Sequence, residues 1–101
     1  MSTYTFSPKD PEEVVTLVIN FANLLEQGET INSAAVTVED QAGANQTAML
    51  VGNADISAAP IVRQQVTGGT NGTTYLVRAK ATMSSGRVLV GSGNLPVRRG
   101  A

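Results

Sequence analysis

The chain has 101 residues, with seven basic and eight acidic side chains, a net charge of −1, and neither histidine nor cysteine. That length fits one domain, which at this size buries roughly 60–70% of its unfolded surface and folds without staples. The missing residue types exclude disulfides, thiolate metal sites, cysteine nucleophiles and histidine proton shuttles. The scattered, near-neutral charge lacks the basic footprint of a phosphate-tracking protein, so no nucleic acid partner is expected.

The first segment, residues 1–8, carries Tyr4 and Phe6. Two readings stand: a first edge strand of the domain, or an arm that reaches a neighbouring chain. Glu13–Phe21 alternates Val15, Leu17, Ile19 and Phe21 against Val14, Thr16, Val18 and Asn20, which predicts a strand with one face in the core. A helical stripe also fits residues 12–27, but five of the nine residues in Glu13–Phe21 are Val, Ile or Thr, and this favours the strand. Residues 23–29 read as a connection turning at Gly28, with Leu24 and Leu25 tucked over one end. Thr30–Glu39 predicts a second strand, with Ala34, Val36 and Val38 on one face.

Asp40–Gln46 is a polar loop, and a short strand follows at Ala48–Val51. Gly52–Pro60 is expected to be irregular. Ile61–Val66 reads as a strand, placed at an edge by Arg63, Gln64 and Gln65. Thr67–Thr74, with Gly68-Gly69 and Asn71-Gly72, is the strongest turn signal in the chain. Thr73–Thr82 then alternates Tyr75, Val77, Ala79 and Ala81 inward against Thr74, Leu76, Arg78, Lys80 and Thr82 outward. Ser84-Ser85-Gly86 turns the chain into Arg87–Gly91, closing a hairpin, and Gly91-Ser92-Gly93 suggests a bulge or bend before Leu95–Val97.

Six or seven short strands at this spacing indicate an all-β, immunoglobulin-like antiparallel sandwich of about seven strands. Tyr75, just after a glycine-rich turn, fits a structural tyrosine corner, in which the hydroxyl caps backbone groups at the crossover. The expected organisation is a sandwich over residues 9–97 and a short basic tail at residues 98–101.

A search for chemistry yields no catalytic, cofactor or metal site. The acids fall in turns and at strand ends, Lys9 and Lys80 form no motif with a serine, and Glu39, Asp40 and Asn45 lack the spacing of a calcium loop. The chain is therefore expected not to be an enzyme. No 18-residue apolar run exists, and the opening MSTYTFSPKDPEE lacks a basic start followed by an apolar core. Neither membrane insertion nor export is expected, and synthesis is placed in a cytoplasm. For protein contact the candidates are Tyr4, Phe6, Leu76, Arg78 and Arg87. The last three, with Lys80, form a mixed apolar–basic patch if one sheet face carries them.

Several motifs together resemble a family of small tailed-bacteriophage fibre–tail adaptor proteins. They are the Asp-Pro-x-Glu-Val opening at Asp10–Val14, the turn Gly28-Glu29-Thr30-Ile31, and the strand Ala34–Glu39. The most specific piece is Val66–Tyr75, which runs into Arg78–Thr82 and Ser85-Gly86-Arg87. The likeness spans about Lys9 to Val97, and departs from the pattern at Ala34-Ala35-Val36, where a Trp is common. The resemblance implies a virion structural protein at the tail, present in several symmetry-related copies. It would bridge tail tube, adaptor or nozzle proteins to tail fibres, with no catalytic residues. Two alternatives remain open: a head decoration or head-completion protein of the same fold, and a carbohydrate-binding sandwich module, which the scarcity of aromatics weakens.

Overall fold

The computed structural model describes residues 4–101, with side-chain burial from Thr5 onward. Seven strands form it: β1 (Tyr4–Thr5), β2 (Val15–Asn20), β3 (Ile31–Glu39), β4 (Leu50–Asp55), β5 (Ile61–Val66), β6 (Thr73–Met83) and β7 (Val88–Val97). They build two sheets, ordered β1-β7-β6-β3 and β2-β5-β4. This is an immunoglobulin-like β-sandwich with its first strand carried onto the β7 side and not paired with β2. All described strand pairs are antiparallel except β1–β7, where Tyr4 and Thr5 run parallel to Gly93 and Asn94.

Period-two alternation sets which side chains meet between the sheets. Leu17, Val36, Val38, Val62, Val66, Tyr75, Val77, Ala79, Ala81, Leu95 and Val97 are buried, as are Phe21 and Met83 at element ends. Gly91 is small where the facing sheet brings larger side chains. A methyl group added at Gly91 would stand 3.1 Å from Ile19 Cγ2 and 3.3 Å from the Phe21 ring. The inward face of β7 is thus hollowed to receive β2.

That packing explains one departure from the sequence reading. The glycines of Gly91-Ser92-Gly93 make neither bulge nor bend, because β7 pairs with β6 without a break from Val88 to Val97. A second correction concerns β5, which lies between β2 and β4 at the centre of its sheet and not at an edge. Its polar residues mislead because Arg63 and Gln65 face solvent, while the buried Gln64 spends its amide on the carbonyls of Val51, Gly52 and Gln65 at 3.2, 3.2 and 2.9 Å. Those bonds hold the register shift that β4 makes between Val51 and Asp55. The third correction follows: β4 continues to Asp55, through residues expected to be irregular. A short 3₁₀ turn, Thr47–Met49, takes the place of the start expected for that strand.

Candidate protein-binding surface

β6 runs most of the length of the molecule, and each of its ends is tied to distant loops. At its start, Lys9 is fully buried and its Nζ donates to the carbonyls of Asp10 and Gly68 at 2.8 and 2.7 Å. Burial lowers its pKa from the usual lysine value, against the opposing pull of Glu13 and Asp10. The Lys9 backbone extends the parallel pairing toward Val97, with Lys9 N–H on Pro96 O and Arg98 N–H on Lys9 O, both at 2.9 Å. The Asp10 carboxylate accepts from Glu12 N–H and Gly100 N–H, at 2.9 and 2.8 Å, and its pKa falls for that reason. The Tyr75 hydroxyl accepts from Thr70 N–H at 2.8 Å, and the Asn71 side chain accepts from Arg99 N–H at 2.8 Å. Gly69, at φ +99°, lies where a Cβ would come 2.9 Å from Val97 Cγ2.

At the other end of β6 the centre is Glu29. Its carboxylate pairs with Arg87 through Nε at 2.9 Å and Nη2 at 2.5 Å, and also accepts from the Ser85 hydroxyl and from Glu26 N–H. Arg87 also donates to Leu24 O at 3.0 Å and meets Glu26 at 3.1 Å. The Arg87 guanidinium, followed by the Ser85 hydroxyl, holds the Glu29 pKa down to about 2. Arg87 is raised in turn, chiefly by Glu29.

The predicted contact residues therefore separate. Leu76, Arg78 and Lys80 share the outer face of the four-stranded sheet, opposite Asn94, Ser92 and Val90 on β7 and Glu39, Thr37 and Ala35 on β3. Leu76 is half-buried, whereas Arg78 and Lys80 are exposed, and no acid pairs with either among the described residues. Val88, half exposed beside Thr82, continues this face. Arg87 does not join it; its charge is committed to Glu29. Leu89 lies opposite Ala81 and packs toward the core. Phe6 is 7% exposed and belongs to the core cluster. The Tyr4 side chain lies outside the described residues.

The loop at residues 40–46 is held by Asp40, whose carboxylate accepts from Ala42 N–H, Ala44 N–H and Gln46 Nε2 at 2.9–3.0 Å. Its pKa is lowered, first by the Ala44 bond. Among the described residues no group of acids is placed to hold a metal ion, and no helix is long and apolar enough to cross a membrane.

Residues 9–96 match the family described as podophage GP4 fiber-tail adaptor protein gp77. The chain belongs to that family. No curated protein matches it. The matched span contains the motifs singled out in the sequence, and the structure gives them a common purpose. Asp10, Gly68 and Tyr75 tie one end of β6, while Glu29, Ser85 and Arg87 tie the other. Sequence reasoning missed the Glu29–Arg87 pair and the burial of Lys9. Glu29 and Arg87 stand 58 residues apart, a separation that no local sequence pattern bridges. β1 and Phe6 precede the matched region.

Proposed function

We propose that this chain is a structural component of a podophage tail, made in the host cytoplasm and carried in several copies. It bridges tail proteins to the tail fibres by protein–protein contacts. The observation that carries this reading is the family match across residues 9–96. The outer face of the four-stranded sheet is one docking surface, with Leu76 and Val88 as apolar contacts and Arg78 and Lys80 as cations. Two exposed, unpaired cations, against the single half-buried Glu39 on the same face, favour a partner that presents carboxylates. Such charges steer encounter and exclude wrong partners.

The test is to assemble virions with an Arg78→Glu, Lys80→Glu chain and quantify fibre and adaptor peptides against the capsid protein by mass spectrometry. Reversal of both charges is expected to lower fibre content about tenfold or more, equivalent to about 1.4 kcal/mol of lost binding. Circular dichroism should show an unchanged fold, since both side chains are exposed. Full fibre content in the variant overturns the sheet-face assignment. Absence of the wild-type chain from tailed particles overturns the adaptor role.

A further inference from the structure

Among the described residues the sandwich has four edge strands, and three are blunted. β1 is two residues long. β4 carries a register shift, with Gly52 at φ +70° inside it. β3 shifts register between Ile31 and Ser33, and its other end is covered by the loop that follows: Gln46 N–H donates to Val38 O at 2.7 Å, and Glu39 bridges to Asn45. Short strands, bulges and covering loops are the usual defences of an edge.

β2 has none of them. It pairs with β5 through six consecutive residues with no shift, and no described strand lies on its other side. Its sequence, Val15–Asn20, contains no charge and no proline. The position is open because the first strand pairs with β7, where the immunoglobulin arrangement would otherwise set a strand beside β2. Val14 and Val18 are 57% and 50% exposed, although both belong to or adjoin a regular strand.

We infer that β2 is a self-pairing edge, joined antiparallel to β2 of a second copy about an axis at Thr16. An unpaired strand edge offers alternating N–H and C=O groups that only another extended backbone satisfies. The side-chain pattern selects the copy. Along the outer face Val14, Thr16 and Val18 read the same in both directions, as a twofold contact between identical surfaces demands. Antiparallel pairing about Thr16 sets Val14 across from the partner's Val18 and Val15 across from the partner's Leu17. Thr16 then meets its own counterpart, a favourable cross-strand pair. Glu12 lies in the turn before the strand, at the end near the partner's Asn20, so like charges do not meet. A parallel arrangement would instead set the acids at positions 12 and 13 of both copies side by side. The product is one continuous six-stranded sheet across two sandwiches, with both Arg78–Lys80 faces left free.

The absence of native cysteine makes single-cysteine reporters clean. Directly opposed residues on antiparallel strands lie about 4.5–5.5 Å apart at Cα, within disulfide range. Sedimentation velocity across a concentration series should show the full chain passing from monomer to dimer. Val18→Glu, at an exposed position beside Arg63, should keep the fold and raise the dimerisation midpoint by about tenfold or more. Thr16→Cys should give a disulfide-linked dimer under mild oxidation, while Lys80→Cys, on the other sheet, should not. A chain that stays monomeric overturns the inference, as does a Val18→Glu dimer of unchanged affinity. So does equal cross-linking at both cysteines, or a monomer whose β2 edge takes up a foreign extended peptide. None of these results bears on the adaptor role, which the virion experiment tests separately.

Discussion

The two ends of β6 meet the same demand by different physics. Each must fasten loops far apart in sequence onto a strand that runs most of the molecule's 43 Å length. At the Tyr75 end the partners are mainly backbone carbonyls and N–H groups, reached by a buried ammonium, a phenol and a carboxylate. At the Arg87 end the link is an ion pair reinforced by a hydroxyl, with Arg87 partly open to solvent. Hydrogen bonds to backbone groups depend little on salt, and of the groups at this end only the Asp10 carboxylate is released by acid. A carboxylate–guanidinium pair near the surface is screened by salt and released by acid. One end is therefore held mainly by groups that keep their charge state over ordinary solution conditions, with Asp10 the exception, and the other by a titratable ion pair.

The largest expected effect comes from breaking the Tyr75 end. Lys9→Met keeps most of the aliphatic stem but leaves Asp10 O and Gly68 O without their donor in a buried site. The loss is expected to be about 2–3 kcal/mol, the cost of unsatisfied carbonyls less the relief of no longer burying a charge. Urea unfolding at neutral pH measures it, and an unchanged midpoint would remove Lys9 from the account. The wild-type ammonium also has a pH signature. Its folded pKa is lowered, so the charged form costs stability below that pKa, and stability rises as the pH climbs toward the unfolded value. Lys9→Met should abolish this alkaline gain.

Tyr75→Phe is a milder cut at the same end. The ring stays in the core, and only the acceptor for Thr70 N–H is lost. We expect a loss of about 1 kcal/mol, read as a lowered thermal midpoint with unchanged spectra. Thr70 lies on the exposed side of the turn, where water can replace the phenol. Faster amide exchange at Thr70 would locate the change. A variant as stable as the wild type would reduce Tyr75 to a core aromatic.

Much of the sandwich was legible because alternation and turn chemistry are local. The inward set Tyr75, Val77, Ala79 and Ala81 can be read directly from the strand, and so can the alternation of β2. What could not be read depends on neighbours far along the chain. Gln64 looks like an edge residue until the β4 shift supplies three carbonyls for it. Gly91 looks like a bend until Ile19 and Phe21 occupy the space it leaves. Arg87 looks like a free surface cation until Glu29 arrives from 58 residues away. Charge and composition could nominate Arg78 and Arg87 alike for partner contact. Only the fold separates them, leaving one exposed and consuming the other.

Glu29→Gln probes the Arg87 end, and its effect is the smallest and the most dependent on pH. The wild-type carboxyl is held near pKa 2 by Arg87 and Ser85, below its ordinary value of 4.5. A depressed folded pKa means that the stabilisation is complete above about pH 4.5 and drains away as the pH falls toward 2. Wild type and Glu29→Gln should therefore differ most at neutral pH and low salt, and converge as the pH approaches 2. Added salt should narrow the gap as well, through screening of the pair. Lys9→Met, by contrast, should hold its deficit across the same acid range, since the ammonium stays charged throughout. A Glu29→Gln deficit that persists undiminished at pH 2 would mean that the end is held by packing and neutral hydrogen bonds. The difference between the two ends would then be one of composition alone.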